Sequence, residues 1–161
     1  MTELPYLTPL DGAALQKHGI TGFTYGCADR VRFHELDSLN HVNNAIHVRW
    51  FETIRVQYLL DYNFTEYSAT EADPFLVVRA QSVDYLLPMF QNESYIVAAR
   101  TSLLKPTSFV MEYAVFVEGQ TRATGSAVVI SLEHDGKTRR AHKAEAVETV
   151  IARDAPRTEN L

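Results

Sequence analysis

The stretch Asp37-Ser38-Leu39-Asn40-His41-Val42-Asn43-Asn44, followed by Ala45-Ile46-His47-Val48-Arg49-Trp50-Phe51-Glu52-Thr53-Ile54-Arg55, sets a polar loop against the start of a long helix. The loop is rich in Asp, Ser and Asn, which make turns and cap helices. Beyond it Ile46, Trp50, Ile54 and Tyr58 recur every four residues. Phe51 and Leu59 widen that stripe, and Val48, Val56 and Leu60 add apolar character elsewhere. Arg49, Glu52 and Arg55 form a narrow polar edge at spacings that allow local ion pairs. A helix this apolar around its circumference is one that something wraps. Asp61, Asn63 and the polar stretch up to Pro74 end it.

Strands are expected on both sides. Phe23, Tyr25 and Cys27 alternate, and Val31 and Phe33 continue the pattern, which predicts an interrupted strand over 23–34. Leu4 to Pro9 carries two prolines, which excludes an internal strand or helix there; Ala13 to His18 is long enough for one helical turn. After the long helix come four strand patterns: 75–85, stopped by Pro88; 95–104, turned at Lys105-Pro106-Thr107; 109–117, turned at Glu118-Gly119-Gln120; and 122–132, before Asp135-Gly136. In the last, Ala123, Gly125, Ala127 and Val129 share a face that suits a bulky neighbour. A short helix is expected over 143–152, with a polar tail beyond Arg153. The order strand, long helix, four strands predicts an α+β fold with a five-stranded antiparallel sheet. One helix cannot cover both faces of such a sheet, so the economical arrangement is a curved sheet wrapped around one long central helix. Phe116, Val128, Ile130 and Leu132 are too apolar for a bare outer face, which predicts a homo-oligomer.

The chain is 161 residues, 46% hydrophobic and 22% charged, with a net charge of -5. That length predicts a single domain over 1–161 with a core at about 22–135, and the acidic balance argues against a nucleic-acid partner. One cysteine, Cys27, excludes an intrachain disulfide framework and a multi-cysteine zinc site, and fits a reducing compartment. Met1 to Pro5 has neither the basic nor the apolar part of a signal peptide. The longest apolar runs, such as Tyr95 to Ala99, are five residues, against about 20 for a membrane span. A soluble cytoplasmic protein with no membrane partner is expected.

The densest cluster of reactive side chains is His34 to Asn44, just before the helix. A helix N-terminus offers unpaired N–H groups and the positive end of a dipole, which attract anions and developing oxyanions. A carboxylate beside it is kept ionised. Together these suit acyl transfer, the amides polarising a carbonyl while the carboxylate attacks or activates water. An Asp before a helix is ordinarily a turn or capping residue, but Asn43 and Asn44 already supply caps, so Asp37 is not needed for that. His34, His41 and His47 are spaced by seven and six, which matches no helical metal pair, and no metal is expected. His41 suits either a general base or a hydrogen-bonding turn residue. Ser38, His41 and Asp37 share one short loop and make no triad. Cys27 lies within an alternating strand and reads as packing.

Residues 37–55 resemble the Asp-x-x-Gly-His-Val-Asn-Asn, Tyr, Phe-Glu-x-x-Arg signature of hotdog-fold acyl-CoA thioesterases of the 4-hydroxybenzoyl-CoA thioesterase type. Val77-Val78-Arg79 and Asp84-Tyr85-Leu86-x-Pro88 resemble that family's second-strand pattern. The likeness spans roughly residues 22–135. It implies a hotdog fold, hydrolysis of an acyl-CoA thioester to free acid and CoA, no dissociable cofactor, and a homodimer or homotetramer. It places Asp37 as nucleophile or general base and Asn44 where a backbone N–H polarises the thioester carbonyl. His41 joins these as a catalytic candidate, and Val42 and Asn43 match the loop that shapes the site. His47 stands in place of the usual tyrosine, and Trp50 is a candidate pocket wall. Glu52 and Arg55 match structural positions, expected as an ion pair. Asn40 replaces the motif glycine; Asn tolerates positive φ best among the alternatives. Arg79, Arg100, Lys105, Arg139, Arg140 and Lys143 are candidates for CoA phosphates. Two other readings are a hydratase or dehydratase acting on acyl thioesters, which the absence of a Pro-Gly loop argues against, and a non-catalytic acyl-CoA-binding module.

Overall fold

The computed structural model describes residues 4–161. Met1, Thr2 and Glu3, on which part of the signal-peptide reading rests, lie outside the described residues. In chain order the elements are β1 (Pro9–Asp11), α1 (Gly12–Lys17), β2 (Tyr25–Arg30), a 3-10 turn (Phe33–Glu35), α2 (Asn44–Asp61), β3 (Phe75–Tyr85), β4 (Ser94–Lys105), β5 (Ser108–Val117), β6 (Gln120–Leu132), α3 (Ala144–Asp154) and β7 (Arg157–Thr158). The sheet runs β1-β2-β4-β5-β6-β3, with β7 pairing β4 beyond the end of β2. β1 with β2 and β2 with β4 are antiparallel, and only two residues separate β4 from β5 and β5 from β6. Such short turns join only antiparallel neighbours.

The fold is α+β as expected, but among the described residues the sheet has seven strands, not five, while α1 and α3 fall close to the two short helices expected. The additional strands, β1 and β7, span three and two residues, too few for alternation to register in a sequence. β1 starts on Pro9 at the sheet edge, where a missing N–H costs no ladder bond. The strand expected over 23–34 stops at Arg30. The Glu35 carboxylate takes the Arg32 N–H at 2.7 Å, which folds 33–35 into a 3-10 turn and leaves Phe33 in solvent.

The contacts group the chain into two compact units, and α2 and β3 to β6 each contribute to both. The first holds the described residues up to Arg55 with Val83–Arg100 and Tyr113–Gly125. Here Leu10, Leu15 and Ile20 cover Ile96, Ala98, Ala114 and Phe116. Leu15 comes so close to β2 that a Cβ on Gly26 would stand 2.8 Å from its Cδ2, which is why β2 carries glycine there. Phe116 is therefore buried by this chain's own N-terminal segment, and its apolar character needs no second subunit. Phe51 stacks on Tyr113, with centroids 4.8 Å apart. Arg55 is buried and donates to the Tyr113 hydroxyl at 3.1 Å. The ion pair expected between Glu52 and Arg55 is not formed: Glu52 faces solvent, and Arg55 has no carboxylate partner among the described residues.

The second unit holds Val56–Ser82, Thr101–Glu112 and Ser126–Leu161. Asp154, at the end of α3, accepts from the Tyr58 and Tyr62 hydroxyls of α2 at 2.6 and 2.9 Å and from the Thr101 amide at 2.6 Å. Asp73 ties the segment after α2. Its carboxylate takes the Lys143 ammonium at 2.8 Å, the Ser68 amide at 2.8 Å, the Ser68 hydroxyl at 3.0 Å and the Glu66 amide at 3.0 Å. Burial pushes this carboxyl up, but Lys143 and the amides together outweigh it and hold it well below the usual carboxylate range.

A carboxyl whose folded pKa is depressed lends stability that is complete above its unfolded value, about 3.9, and is lost as pH falls below it. Thermal melts from pH 7 to pH 3 are expected to show Asp73→Asn melting below wild type at pH 7. The gap should shrink as the pH falls below about 4.

Candidate active site

The site is built on a loop closed by backbone. The Asn43 amide donates to the Glu35 carbonyl at 2.9 Å, Leu36 bridges Val42, and the Asp37 amide donates to the His41 carbonyl at 2.8 Å. Asn40 turns the loop at φ 58°, a conformation that asparagine tolerates where most side chains do not. Glu35 anchors the base of this loop. It is buried, and while its Oε2 holds the Arg32 amide, its Oε1 accepts from the Trp50 indole at 3.0 Å. Trp50 in turn stacks on Tyr95 with centroids 4.1 Å apart. One buried carboxylate thereby sets the loop against the second turn of α2.

Asp37 uses its two oxygens differently. Oδ1 accepts from the Leu39 amide at 2.8 Å and the His41 amide at 3.3 Å, which fixes the side chain within its own turn. Oδ2 has no hydrogen-bond partner among the described residues. At the helix start Asn43 is the cap: its Oδ1 accepts from the Ala45 amide and its carbonyl from the Ile46 amide, both at 2.9 Å. The Asn44 amide has no acceptor among the described residues. That pairs a half-free carboxylate with an unspent amide at the positive end of an 18-residue helix.

Asp37, His41, Val42, Asn44 and His47 line one cavity of about 430 Å³, whose opposite wall is residues 85–88. Asn43 and Trp50 are not among the lining residues; one caps α2 and the other is held by Glu35 and Tyr95. In the sequence the 85–88 wall reads as a strand end with a proline stop and as part of the second-strand pattern of the resemblance. Tyr85 donates its hydroxyl to the Asn44 carbonyl at 3.0 Å, and the Leu86 and Leu87 amides donate to the Arg122 carbonyl. The Arg122 guanidinium returns to the Pro88 carbonyl at 3.1 Å and to Glu93 at 3.5 Å. His41 turns its ring edge to Phe90, centroids 5.2 Å apart. Burial holds His47 below the usual imidazole value.

None of the six basic residues singled out for CoA phosphates lines this cavity. Arg100 bonds the Gly22 carbonyl, Lys105 pairs with Glu159, Arg140 holds the Glu71 and Ala72 carbonyls, and Lys143 holds Asp73. A larger cavity, of about 730 Å³ between Tyr6, Arg30 and Ser94, contains no residue of the 37–55 motif. Chemistry rather than size therefore marks the site. Among the described residues no group of three or more His, Cys, Asp and Glu is placed to hold a metal, and no helix is long and apolar enough to cross a membrane.

The α+β architecture, a sheet with helices, is that of a hotdog thioesterase fold. The chain belongs to the Thioesterase-like superfamily, whose family model matches residues 31–153. A thioesterase-superfamily structure from Jannaschia sp. CCS1 is 34% identical, with a TM-score of 0.91, covering 96% of this chain and 99% of that one. A thioesterase from Thermus thermophilus, solved in complex with coenzyme A and Zn, is 30% identical with a TM-score of 0.71, covering 84% and 98%. YsmA of Bacillus subtilis strain 168, itself described as uncharacterized, is 26% identical over 132 residues, 81% of this chain and 88% of that one.

Replacing Glu35 with Ala removes both of its hydrogen bonds and leaves the buried Trp50 indole N–H unpaired, an expected loss of about 2–4 kcal/mol. Urea unfolding measures it. Trp50 is the chain's sole tryptophan, so its emission should also shift to the red in the folded variant.

Proposed function

We propose that this protein hydrolyses an acyl-CoA thioester to the free acid and CoA, as a relative of the 4-hydroxybenzoyl-CoA thioesterase type. The observation that carries the reading is one cavity lined both by Asp37, whose Oδ2 has no partner among the described residues, and by Asn44, whose N–H has no acceptor among them. The thioester carbonyl oxygen accepts from the Asn44 amide, where the helix dipole stabilises negative charge. Asp37 then acts in one of two ways. As base, it takes a proton from water, whose oxygen adds to the carbonyl carbon; the oxyanion collapses, the C–S bond breaks, and the sulfur leaves as thiolate and takes up the proton. As nucleophile, Oδ2 itself adds and displaces the thiolate, and water then hydrolyses the mixed anhydride. His41 and Val42 shape the mouth of the site, and Asn43 holds the helix start that presents Asn44. The coenzyme A bound to the Thermus thermophilus relative supports a CoA ester as the substrate, and the lone Cys27 supports a reducing, cytoplasmic setting.

We also propose a homodimer or homotetramer, on different residues from those that suggested it in the sequence. β3 is the last strand in the sheet order and is 11 residues long, an unpaired edge of the kind that natural sheets cover. It leaves Phe75, Val77 and Val78 exposed, and α2 leaves Val48 39%, Val56 46% and Leu60 42% exposed. Apolar residues exposed on an edge strand and on a helix suit a second copy.

On a panel of acyl-CoA esters, Asp37→Asn is expected to retain the fold and lose about 10³-fold in kcat, on the order of 4 kcal/mol of transition-state stabilisation. Turnover undiminished in that variant would refute the role of Asp37. Single-turnover hydrolysis in H₂¹⁸O separates the two routes, because only the nucleophilic one puts label into the Asp37 carboxylate. Sedimentation is expected to give at least twice the chain mass, and Val78→Glu to lower it; a monomeric wild type would end the oligomer proposal.

A further inference from the structure

Asp37 and Asn44 act on the carbonyl that every thioester shares, so they say nothing of the acyl group. His47 does. It is 4% exposed, lines the same cavity, and neither of its ring nitrogens has a hydrogen-bond partner among the described residues. Nδ1 is buried without a partner, and Nε2 is not among the buried unpaired atoms, so we take Nε2 as the nitrogen turned to the cavity that His47 lines. The ring is held in place, with Trp50 tilted against it and Tyr85 edge-on, both centroids 5.1 Å away.

Two features define what Nε2 offers. Burial keeps the imidazole below its usual pKa, so the ring is neutral at neutral pH. The carbonyls of Asn43 and Asn44 at the helix start favour a proton on the ring, and both are acceptors. A hydrogen on the buried Nδ1 suits them, and Nε2 then presents a lone pair to the cavity. An acceptor that a buried ring offers without a protein partner is met by a ligand donor.

Position says which part of the ligand. His47 follows Asn44 by three residues on one helix face, and helical side chains lean toward the N-terminus. The ring therefore covers the turn that carries the Asn44 amide, and its partner lies beside the thioester carbonyl. The 85–88 wall adds the apolar Leu86, Leu87 and Pro88, and the Tyr85 hydroxyl is already spent on Asn44. Resting on the thioesterase reading above, we propose that His47 is the acyl-specificity residue of this site. It accepts a hydrogen bond from a hydroxyl at C2 or C3 of a short acyl group, so the preferred substrates are small hydroxyacyl-CoA esters.

The test compares kcat/KM within matched pairs: 3-hydroxybutanoyl-CoA against butanoyl-CoA, and 2-hydroxypropanoyl-CoA against propanoyl-CoA. Wild type is expected to favour the hydroxylated member of at least one pair by tenfold or more. In His47→Phe, which keeps an aromatic ring between Trp50 and Tyr85, that ratio should fall to near one. His47→Gln, whose side-chain amide can still accept, should restore part of it. Ratios near one in wild type for both pairs overturn the proposal, and that measurement needs no variant to fold. So does a wild-type preference that survives intact in folded His47→Phe. Hydrolysis of none of the four esters while other members of the acyl-CoA panel turn over, or turnover without discrimination, overturns only the role of His47, whereas hydrolysis of no ester in the panel overturns the thioesterase reading with it.

Discussion

The contact on which the site depends is the buried carboxylate of Glu35, shared between the Arg32 amide and the Trp50 indole. A buried charge is tolerated only when its acceptors are filled, and here filling them performs two tasks. It ends β2 and starts the loop, and it pins that loop to the second turn of α2. The Asp37 turn, the Asn43 cap and the bare Asn44 amide then fall in one place. Without this bond, a polar loop of eight residues would have many ways to approach the helix start, and few of them would set a carboxylate before an amide.

The carboxylates of this chain divide by how fully they are used. Asp73 and Asp154 are saturated by amides, hydroxyls and an ammonium, and they fasten the chain around α2 and α3. Glu35 is saturated in the same way. Asp37 alone of these four commits one oxygen to its own turn and leaves the other without a partner among the described residues. His47 stands in a similar position among the polar groups of the cavity: buried, held by rings, and not hydrogen-bonded. Unsatisfied polar groups are ordinarily eliminated from folded interiors. Here they occur at His47 in the cavity and also at Ser131 and His142 outside it.

Apolar surface tells a parallel story. The reading of β5 and β6 as needing a partner subunit rested on side chains such as Phe116, and that residue is covered from within by Leu10, Leu15 and Ile20. Apolar surface remains uncovered on β3 and at Val48, Val56 and Leu60 of α2, among other positions. An apolar residue in a sequence requires burial but does not name what buries it. The N-terminal segment, with its two prolines and short turn, gave little sign that it would serve.

What the amino-acid order determined by itself was local. The four-residue recurrence from Ile46 to Tyr58 required a helix, the alternation in 75–85, 95–104, 109–117 and 122–132 required strands, and the loop chemistry marked Asp37 and His41; the family resemblance added Val42, Asn43, Asn44, His47 and Trp50, of which Asn43 and Trp50 do not line the cavity. These depend on neighbours a few positions apart, which periodicity and capping report directly. Tertiary structure decided the rest. It spent Trp50 on Glu35, turned Arg55 from Glu52 to Tyr113, and brought residues 85–88 across from the helix start. Each of these is a contact between residues far apart in the chain, or a choice between near and distant partners. Such choices are made by burial and hydrogen-bond satisfaction in three dimensions, and no spacing along the chain encodes them.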